Sequence, residues 1–368
     1  VWDALSGDML YDFNQHEAWV YGVAISPDAT VGVSGSADET VMVWDLSTGK
    51  AIQSIEEHDG EVTSVSITAD KSRILSAGGD ESVRLWDAKS GEQIHLLEGH
   101  NGWVFDVAVV PDGRWGVSGS EDGTLRRWDL KTGAETWAVN LDVYVTAIDI
   151  STDGRKVLAG TIDGAVLELD ARSGDMLWLK DGHGRRVPAV AFSADGTKAF
   201  TASWDGTVKV WDKAGTELVA LLGFSTGDWL ATTPDGYYNC SIDGGQYIGW
   251  RVGREVFPFE RYENVYRNRD AILKRLGTRS PQAPPSAPAP PPAIERPPKV
   301  ALTQPEPGLQ TDAENLEIAV ETEDASGVAA IIVTINGRPL LHDGAPRIAL
   351  PPSDDRTRSV AIEVPLVH

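Results

Sequence analysis

The sequence predicts an all-β chain: a β-propeller of about seven blades, the first incomplete, followed by a short helix, a proline-rich linker and a truncated β-sandwich. Three observations carry this. A Trp-Asp pair recurs at Trp2-Asp3, Trp44-Asp45, Trp86-Asp87, Trp128-Asp129 and Trp211-Asp212, with Leu169-Asp170 filling the gap, at spacings of 42, 42, 42, 41 and 42 residues. Short β-rich runs parted by Asp-Gly turns fill each period. Past residue 253 the composition changes, and residues 279–298 hold nine prolines. A fixed period of roughly 40–45 residues is that of a propeller blade, a four-stranded sheet that cannot bury its faces alone and stacks on its neighbours.

The composition sets outer limits. The chain has 368 residues, long enough for more than one domain, and 41% of them are hydrophobic. No run approaches the ~18 apolar residues of a membrane span. The 55 acidic residues outnumber 32 basic ones, giving a formal charge of -23. Such a charge repels phosphate backbones and anionic lipid, so neither nucleic acid nor a membrane is the expected partner. The single cysteine, Cys240, allows no intrachain disulfide framework. It fits a reducing compartment, and a cytoplasmic location is the expectation. The chain opens on Val1 with no initiator Met, and export is not read from it.

The repeats settle whether the chain carries a hydrolytic site. In the third full repeat "VFDVAVV" and "WGVSGS" flank the turn "PDGR", and "TLRRWDL" follows "EDG". His100, Ser118 and Asp122 have the makings of a triad in which a base activates a hydroxyl and a carboxylate orients the base. Yet His100, Ser118, Asp122 and Trp128 recur with the same offsets as His16, Ser34, Asp38 and Trp44, as His58, Ser76, Asp80 and Trp86, and as His183, Thr201, Asp205 and Trp211. Four copies of a triad are not one active site. Over residues 1 to about 213 the sequence closely resembles the WD-repeat (WD-40) family. That resemblance implies that each tetrad is a hydrogen-bonded chain tying the loop before a blade to its strands. Such a network fixes one register, since a buried polar group costs free energy unless it is paired. The fourth blade has Leu141, Ala159 and Leu169 around Asp163, so its tetrad is missing and it is expected to be the weakest.

Beyond Asp212 the pattern decays. "GDWLATTPDGYYNCSIDGGQYIGWRVG" keeps a Pro-Asp-Gly turn and places Trp250 39 residues after Trp211, but lacks the His and the Asp after Trp. It reads as a degenerate last blade, 214–253, closing a propeller over 1–253. The first blade begins at its last strand, and the expectation is a stretch of a longer propeller. Residues 254–277 form a helical connector, amphipathic from about Glu263 with Val265, Tyr266, Ile272, Leu273 and Leu276 on or near one face. The Pro-rich linker, 278–298, is an extended spacer of roughly 3.1 Å per residue. Without a flanking basic residue to orient it, it is not read as an SH3-type ligand. From 299 to 368, "LEIAVETED", "VAAIIVTINGRPLL" and "RSVAIEVPLV" alternate apolar and polar residues around turns that include Asn-Gly. This is half of a small sandwich and resembles bacterial immunoglobulin-like modules.

The order of these segments is similar to the amino-terminal portion of bacterial proteins that end in a caspase-like peptidase, a resemblance resting mainly on residues 227–276. It implies that the catalytic domain lies outside this sequence. A caspase-like site needs a His and a nucleophilic Cys. Cys240, in "YYNCSID", matches no such motif and reads as a small buried Cys. "EEHDG" at 56–60 gathers carboxylates around His58, but no second ligand recurs at metal spacing. The Gly-Ser runs sit in strands and cannot cradle phosphate. Neither metal nor cofactor is indicated.

Two function classes follow. The favoured one is a non-catalytic scaffold or sensor arm that presents loops to a protein or peptide partner, fused in the full-length protein to a caspase-like peptidase. The alternative is an enzyme with its site in the propeller's central channel, which requires an unrepeated set of acid, base or metal ligands that the sequence does not show. The WD-repeat resemblance implies that the loop after the tetrad His and the residue before the turn Asp reach the rim of the channel. Three residues after each His or its equivalent stand Trp19, Glu61, Trp103, Tyr144 and Arg186. Five after stand Tyr21, Thr63, Phe105, Thr146 and Pro188, and before the turn Asp stand Ala37, Gly79, Glu121, Ile162 and Trp204. Polar residues share these offsets with aromatics, as on a surface. The expected partner-binding rim is therefore Trp19, Tyr21, Trp103, Phe105, Tyr144, Arg186 and Trp204, aromatic and Arg side chains being the usual interface anchors.

Overall fold

The computed structural model describes residues 1–252, 255–258, 263–277, 299–304, 315–323, 330–331, 334–335, 338–339, 348–349 and 357–365. Contacts divide the chain into two units, residues 1–247 with 264–291, and residues 248–263 with 292–368.

The first unit is a series of antiparallel blades in sequence order. Blade one is β1 (Val20–Ile25), β2 (Val31–Ser36), β3 (Val41–Asp45) and β4 (Lys50–Ile55). Blade two is β5 (Val62–Ile67), β6 (Arg73–Gly78), β7 (Val83–Asp87) and β8 (Gln93–Leu97). Blade three is β9 (Val104–Val109), β10 (Trp115–Ser120), β11 (Thr124–Asp129) and β12 (Glu135–Asn140). Blade four is β13 (Val145–Ile150), β14 (Lys156–Thr161), β15 (Ala165–Asp170) and β16 (Met176–Asp181). Blade five opens with β17 (Ala189–Phe192), β18 (Lys198–Ala202), β19 (Thr207–Asp212) and β20 (Glu217–Gly223).

The segment expected as a degenerate last blade, 214–253, does not form a sheet of its own among the described residues. β21 (Trp229–Thr232) and β22 (Tyr238–Cys240) extend the fifth sheet to six strands in the order β17-β18-β19-β20-β21-β22. The reason is local. A tight turn, with Phe224 N–H donating to Asp228 O and Gly227 N–H to Phe224 O, folds the chain back along β20. No tetrad His is present to draw the loop toward a new inner strand. Trp250 lies in β23 (Gly249–Val252), which pairs with β24 (Glu255–Pro258) in the second unit. At the other end Trp2 bridges Met9, and the strand remnant supplies Tyr11 and Phe13, whose ring stacks on Trp44 at 4.4 Å.

The core lies between blades. Val33, Val41, Val43 and Ile55 of blade one close over Val62, Val65, Ile67 and Trp86 of blade two. Leu75, Val83, Leu85 and Leu97 then meet Val104, Val107 and Trp128, and Val117 and Leu125 meet Val145, Ile148 and Val157. Leu158 and Val166 meet Val187, Ala199 and Trp211. Each interface is thus an aliphatic face on an inner-strand face, the arrangement that shields both from water. A second link repeats at the outer edge. The side chain of one blade's last strand lies over the turn glycine of the next, as Tyr11 does over Gly49, Gln53 over Gly91, His95 over Gly133, Trp137 over Gly174 and Trp178 over Gly215. These turns hold the glycine at positive φ, 69° at Gly49, which keeps the site free of a Cβ.

Inner strands are further joined by carboxylates. Asp106 accepts from Ser64 Oγ at 2.6 Å on blade two, and from the Ile148 amide at 2.7 Å on blade four. Asp149 accepts from the Phe192 amide on blade five at 2.6 Å. Asp106 keeps some accessible surface, yet protein surrounds it so closely that desolvation, with Asp149 nearby and against its hydrogen bonds, pushes its pKa up to about 6.

A helix packs on the outer strands of the fifth sheet. The predicted helix from Glu263 is two: α1 (Glu263–Tyr266) and α2 (Arg269–Leu276). Asn268 parts them, because its backbone N–H donates to Tyr238 O at 2.8 Å while its Oδ1 caps α2 by accepting from Ala271 N at 3.0 Å. Ile272 is buried against Val219 and Ala231, with Leu276 beside it, and Tyr266 is buried. Val265, placed with these residues by its spacing, is exposed instead, since the break resets the helical phase.

The second unit includes β25 (Lys299–Gln304) and β26 (Asn315–Glu323), joined with a last strand, 357–365, into a three-stranded antiparallel sheet. Residues 330–331 pair with 348–349, and 334–335 with 338–339. The Pro-rich linker lies outside the described residues.

Two measurements test these contacts. Ile272→Ala should lower unfolding free energy by about 2–4 kcal/mol, as for other buried large-to-small changes, in urea denaturation of the full chain. Asp106 has a folded pKa above its unfolded value, so the folded state takes up this proton first as pH falls. Its contribution to stability therefore grows from pH 7 toward pH 5, by roughly 1 kcal/mol. The stability of the wild type relative to Asp106→Asn should rise by that amount, and a constant difference between the two pH values would contradict it.

Candidate functional site

The tetrads are built alike. His Nε2 lies 2.7 Å from the hydroxyl oxygen of Ser34, Ser76, Ser118 or Thr201. His Nδ1 lies 2.9 Å from Asp38, Asp80 and Asp122, and 3.0 Å from Asp205. The indole N–H of Trp44, Trp86, Trp128 or Trp211 donates to the same hydroxyl at 2.8–2.9 Å. Each Asp also accepts the backbone N–H of the residue after the His, so the loop, the second strand, the turn after it and the third strand are pinned together. Burial works to raise the Asp pKa values, but the hydrogen bonds outweigh it and hold Asp38 and Asp122 down at about 2. Desolvation lowers the pKa of His100 and His183 despite the neighbouring carboxylates. Ser118 has no accessible surface, and His100 and Trp128 both engage its oxygen. A hydroxyl enclosed in this way cannot reach a substrate carbonyl.

Blade four fills the same space with carbon. Ala159 and Leu169 are wholly buried, and Leu141 packs on the cluster that includes Val117, Val145 and Ile148. Asp163 turns to local partners, accepting from Thr161 Oγ1 at 2.5 Å and Ala165 N at 3.4 Å. The sequence-based expectation that this blade is the weakest is therefore revised. A well-packed apolar replacement of a buried polar network is commonly neutral or stabilising.

At the mouth of the blades, the two rim offsets meet in every repeat. The carbonyls of Trp19, Glu61, Trp103, Tyr144 and Arg186 accept the backbone N–H of Ala37, Gly79, Glu121, Ile162 and Trp204, at 2.8–3.0 Å. Five pairs of residues thus line successive blades. Trp19 is 77% exposed, Trp204 62%, and Trp103 and Tyr144 about two-fifths. The Trp103 indole lies over Gly79 of blade two, where a Cβ would come within 3.2 Å of the ring. Phe105 sits 6.4 Å from Tyr144, and the Arg186 guanidinium lies 5.3 Å from the Phe105 ring and 5.1 Å from that of Trp204. Trp19 and Tyr21 meet edge to face at 6.4 Å, and Glu61, hydrogen-bonded to the Tyr21 phenol, pushes its pKa up.

The third offset behaves differently, for a reason the sequence did not reveal. Tyr21, Thr63, Phe105 and Thr146 fall where strand pairing skips a residue, a β-bulge in β1, β5, β9 and β13. A bulge re-aims its side chain. Thr63 and Thr146 use it to reach the carbonyls of Val104 and Val187 on the next blade, the latter at 2.6 Å. Their hydroxyls are inter-blade ties, which corrects the reading of those two threonines as surface residues. Tyr21 remains exposed and Phe105 half-buried. Cys240 is buried in β22. Among the described residues no group of three or more His, Cys, Asp or Glu is placed to hold a metal ion, and no helix is long and apolar enough to cross a membrane.

Amide hydrogen exchange checks the aliphatic substitution. Strands β13–β15 should exchange as slowly as β9–β11, and markedly faster exchange in blade four would show that the polar tetrad is the stronger device.

Comparison with known families agrees with this geometry. The family model described as WD domain, G-beta repeat matches residues 7–45, 49–87, 91–129 and 175–212. Each match runs from the outer strand, or its remnant, through the Trp-Asp of the following blade, and residues 133–171, where the tetrad is lost, fall outside the matches. No curated protein matches the chain. Four segments of this chain thus match WD40 repeats, and they fall in antiparallel sheets of the WD-propeller type.

Proposed function

We propose that the chain is a non-catalytic scaffold that holds a protein or peptide partner on the rim formed by Trp19, Tyr21, Trp103, Phe105, Tyr144, Arg186 and Trp204. The observation that carries this is the pairing of the two rim offsets on all five blades, which sets exposed indoles on a rigid base. Large exposed aromatics on rigid backbone lose little entropy on binding and are the usual energetic centres of protein interfaces. WD40 repeats support an interaction role in general terms, and the excess of 23 negative charges favours a protein partner over nucleic acid. The carboxylates that the inner strands carry, Asp106 and Asp149, are engaged by backbone amides and give no support to a reaction in the channel.

The parent protein, in this reading, couples the propeller to a caspase-like peptidase through the connector and the Pro-rich spacer, with the propeller as its sensor arm. Segment order is the support for that part, and the full reading frame tests it: a downstream His and Cys pair is the expected finding.

Rim binding is tested with Trp103→Ala combined with Trp204→Ala. Two anchors of about 2 kcal/mol each amount to roughly a thousandfold in affinity, so capture of the partner from lysate should be lost while the melting temperature moves by only a few degrees. Arg155→Ala with Arg172→Ala, in turns at the opposite ends of the strands, should leave capture intact. Retained capture by the rim variant, or equal loss in both variants, would overturn the assignment.

A further inference from the structure

We propose that Arg186, stacked between Phe105 and Trp204, is a carboxylate anchor, and that the segment bound at the rim is an acidic peptide. This rests on the rim reading and specifies the chemistry of its ligand. In a chain with 55 acidic residues, an arginine is expected to find a carboxylate. Arg186 has found none. Among the described residues it forms no ion pair, its Nε is enclosed without a hydrogen-bond partner, and the guanidinium is held only by aromatic faces at 5.3 and 5.1 Å. Burial alone lowers its pKa, with no nearby carboxylate acting to raise it. Arg185, adjacent in the chain, is exposed and forms no ion pair among the described residues.

The geometry is that of a prepared donor. Two aromatic rings hold the guanidinium in place, so a ligand need not order a long flexible side chain, and the remaining N–H groups are available to a planar acceptor. The carbonyl of Arg186 is itself tied to the Trp204 amide at 3.0 Å, which locks the backbone under the stack. Trp204 is 62% exposed and offers a face to whatever flanks the bound carboxylate. An anion meeting this site exchanges water for charge-assisted hydrogen bonds in a partly desolvated place, where they are stronger than at an open surface. At this point of the rim Arg185 and Arg186 set a local positive charge against the chain's net charge of -23, so a cationic side chain placed here, within reach of both, is disfavoured.

The test uses the full chain and an array of 12-residue peptides in matched pairs, identical except that Glu and Asp in one member are Gln and Asn in the other, with a phosphoserine series alongside. The expected result is binding confined to acidic members, at least about tenfold tighter than their amide partners, together with loss of that preference in Arg186→Gln. Trp204→Leu keeps the charge and removes one stacking face, and should weaken acidic peptides several-fold while retaining the preference. Equal binding of Glu and Gln members to the wild type would overturn the proposal without recourse to any variant. So would an Arg186→Gln protein of unchanged melting temperature that still prefers the acidic member, or binding confined to phosphoserine peptides. If peptides bind without regard to charge, and Trp103→Ala with Trp204→Ala abolishes that binding, the rim stands and the carboxylate anchor falls.

Discussion

A four-stranded blade has two apolar faces and can bury neither by itself. Everything else in the first unit answers that constraint. The valines and leucines of one sheet close on the inner-strand valines of the next, four times in succession, and the covered faces belong to successive blades of the sequence. Stacking then orients the loops. Because each blade repeats the same backbone bond between the two rim offsets, side chains that are distant in sequence arrive on one edge in register. Rim geometry is therefore a by-product of the way the core is buried, and its chemistry is free to vary from Trp to Glu to Arg without disturbing the packing beneath.

Much of this was readable from the sequence because period, turn residues and tetrad offsets are local and redundant. A Trp, a Ser and a His seen once are ambiguous, whereas four copies at fixed spacing name a structural role, and the bonds from Ser118 to His100 and Trp128 have that form. What could not be read was where periodicity stops conveying pairing. The segment after Gly223 keeps a Pro-Asp-Gly turn, but pairing along β20 is decided by a tight turn at Phe224–Asp228, and a short β-run reads alike as an added edge strand or as the first strand of a new blade. The bulges at Thr63 and Thr146 were equally silent. Composition cannot tell an exposed Thr from one reaching a neighbouring carbonyl, since both are small, polar and β-branched.

Blade four is an experiment performed within one chain. At Leu141, Ala159 and Leu169 the same backbone holds aliphatic groups where its neighbours hold imidazole, hydroxyl and indole. The sheet keeps four strands in the same order, so the polar chain is not required for blade geometry. What the tetrad adds is a bond from the inter-blade loop to the turn Asp, through the backbone N–H after each His. Where the His is absent that bond is lost, and Leu141 N–H donates to Gly123 O of the preceding blade just as His183 N–H does to Gly164 O, while Asp142 N–H turns to Asn140 within the loop.

The helix over the fifth sheet bears on assembly. A row of similar blades is by nature a heterologous surface: what fits behind one copy fits behind the next, and such contacts extend into open fibres unless rotation closes them. With Ile272 and Leu276 seated on Val219 and Ala231, the outer strands of that sheet are already occupied where the leading blade of another molecule would have to lie. A flush head-to-tail contact at this end is thus obstructed by an eight-residue helix.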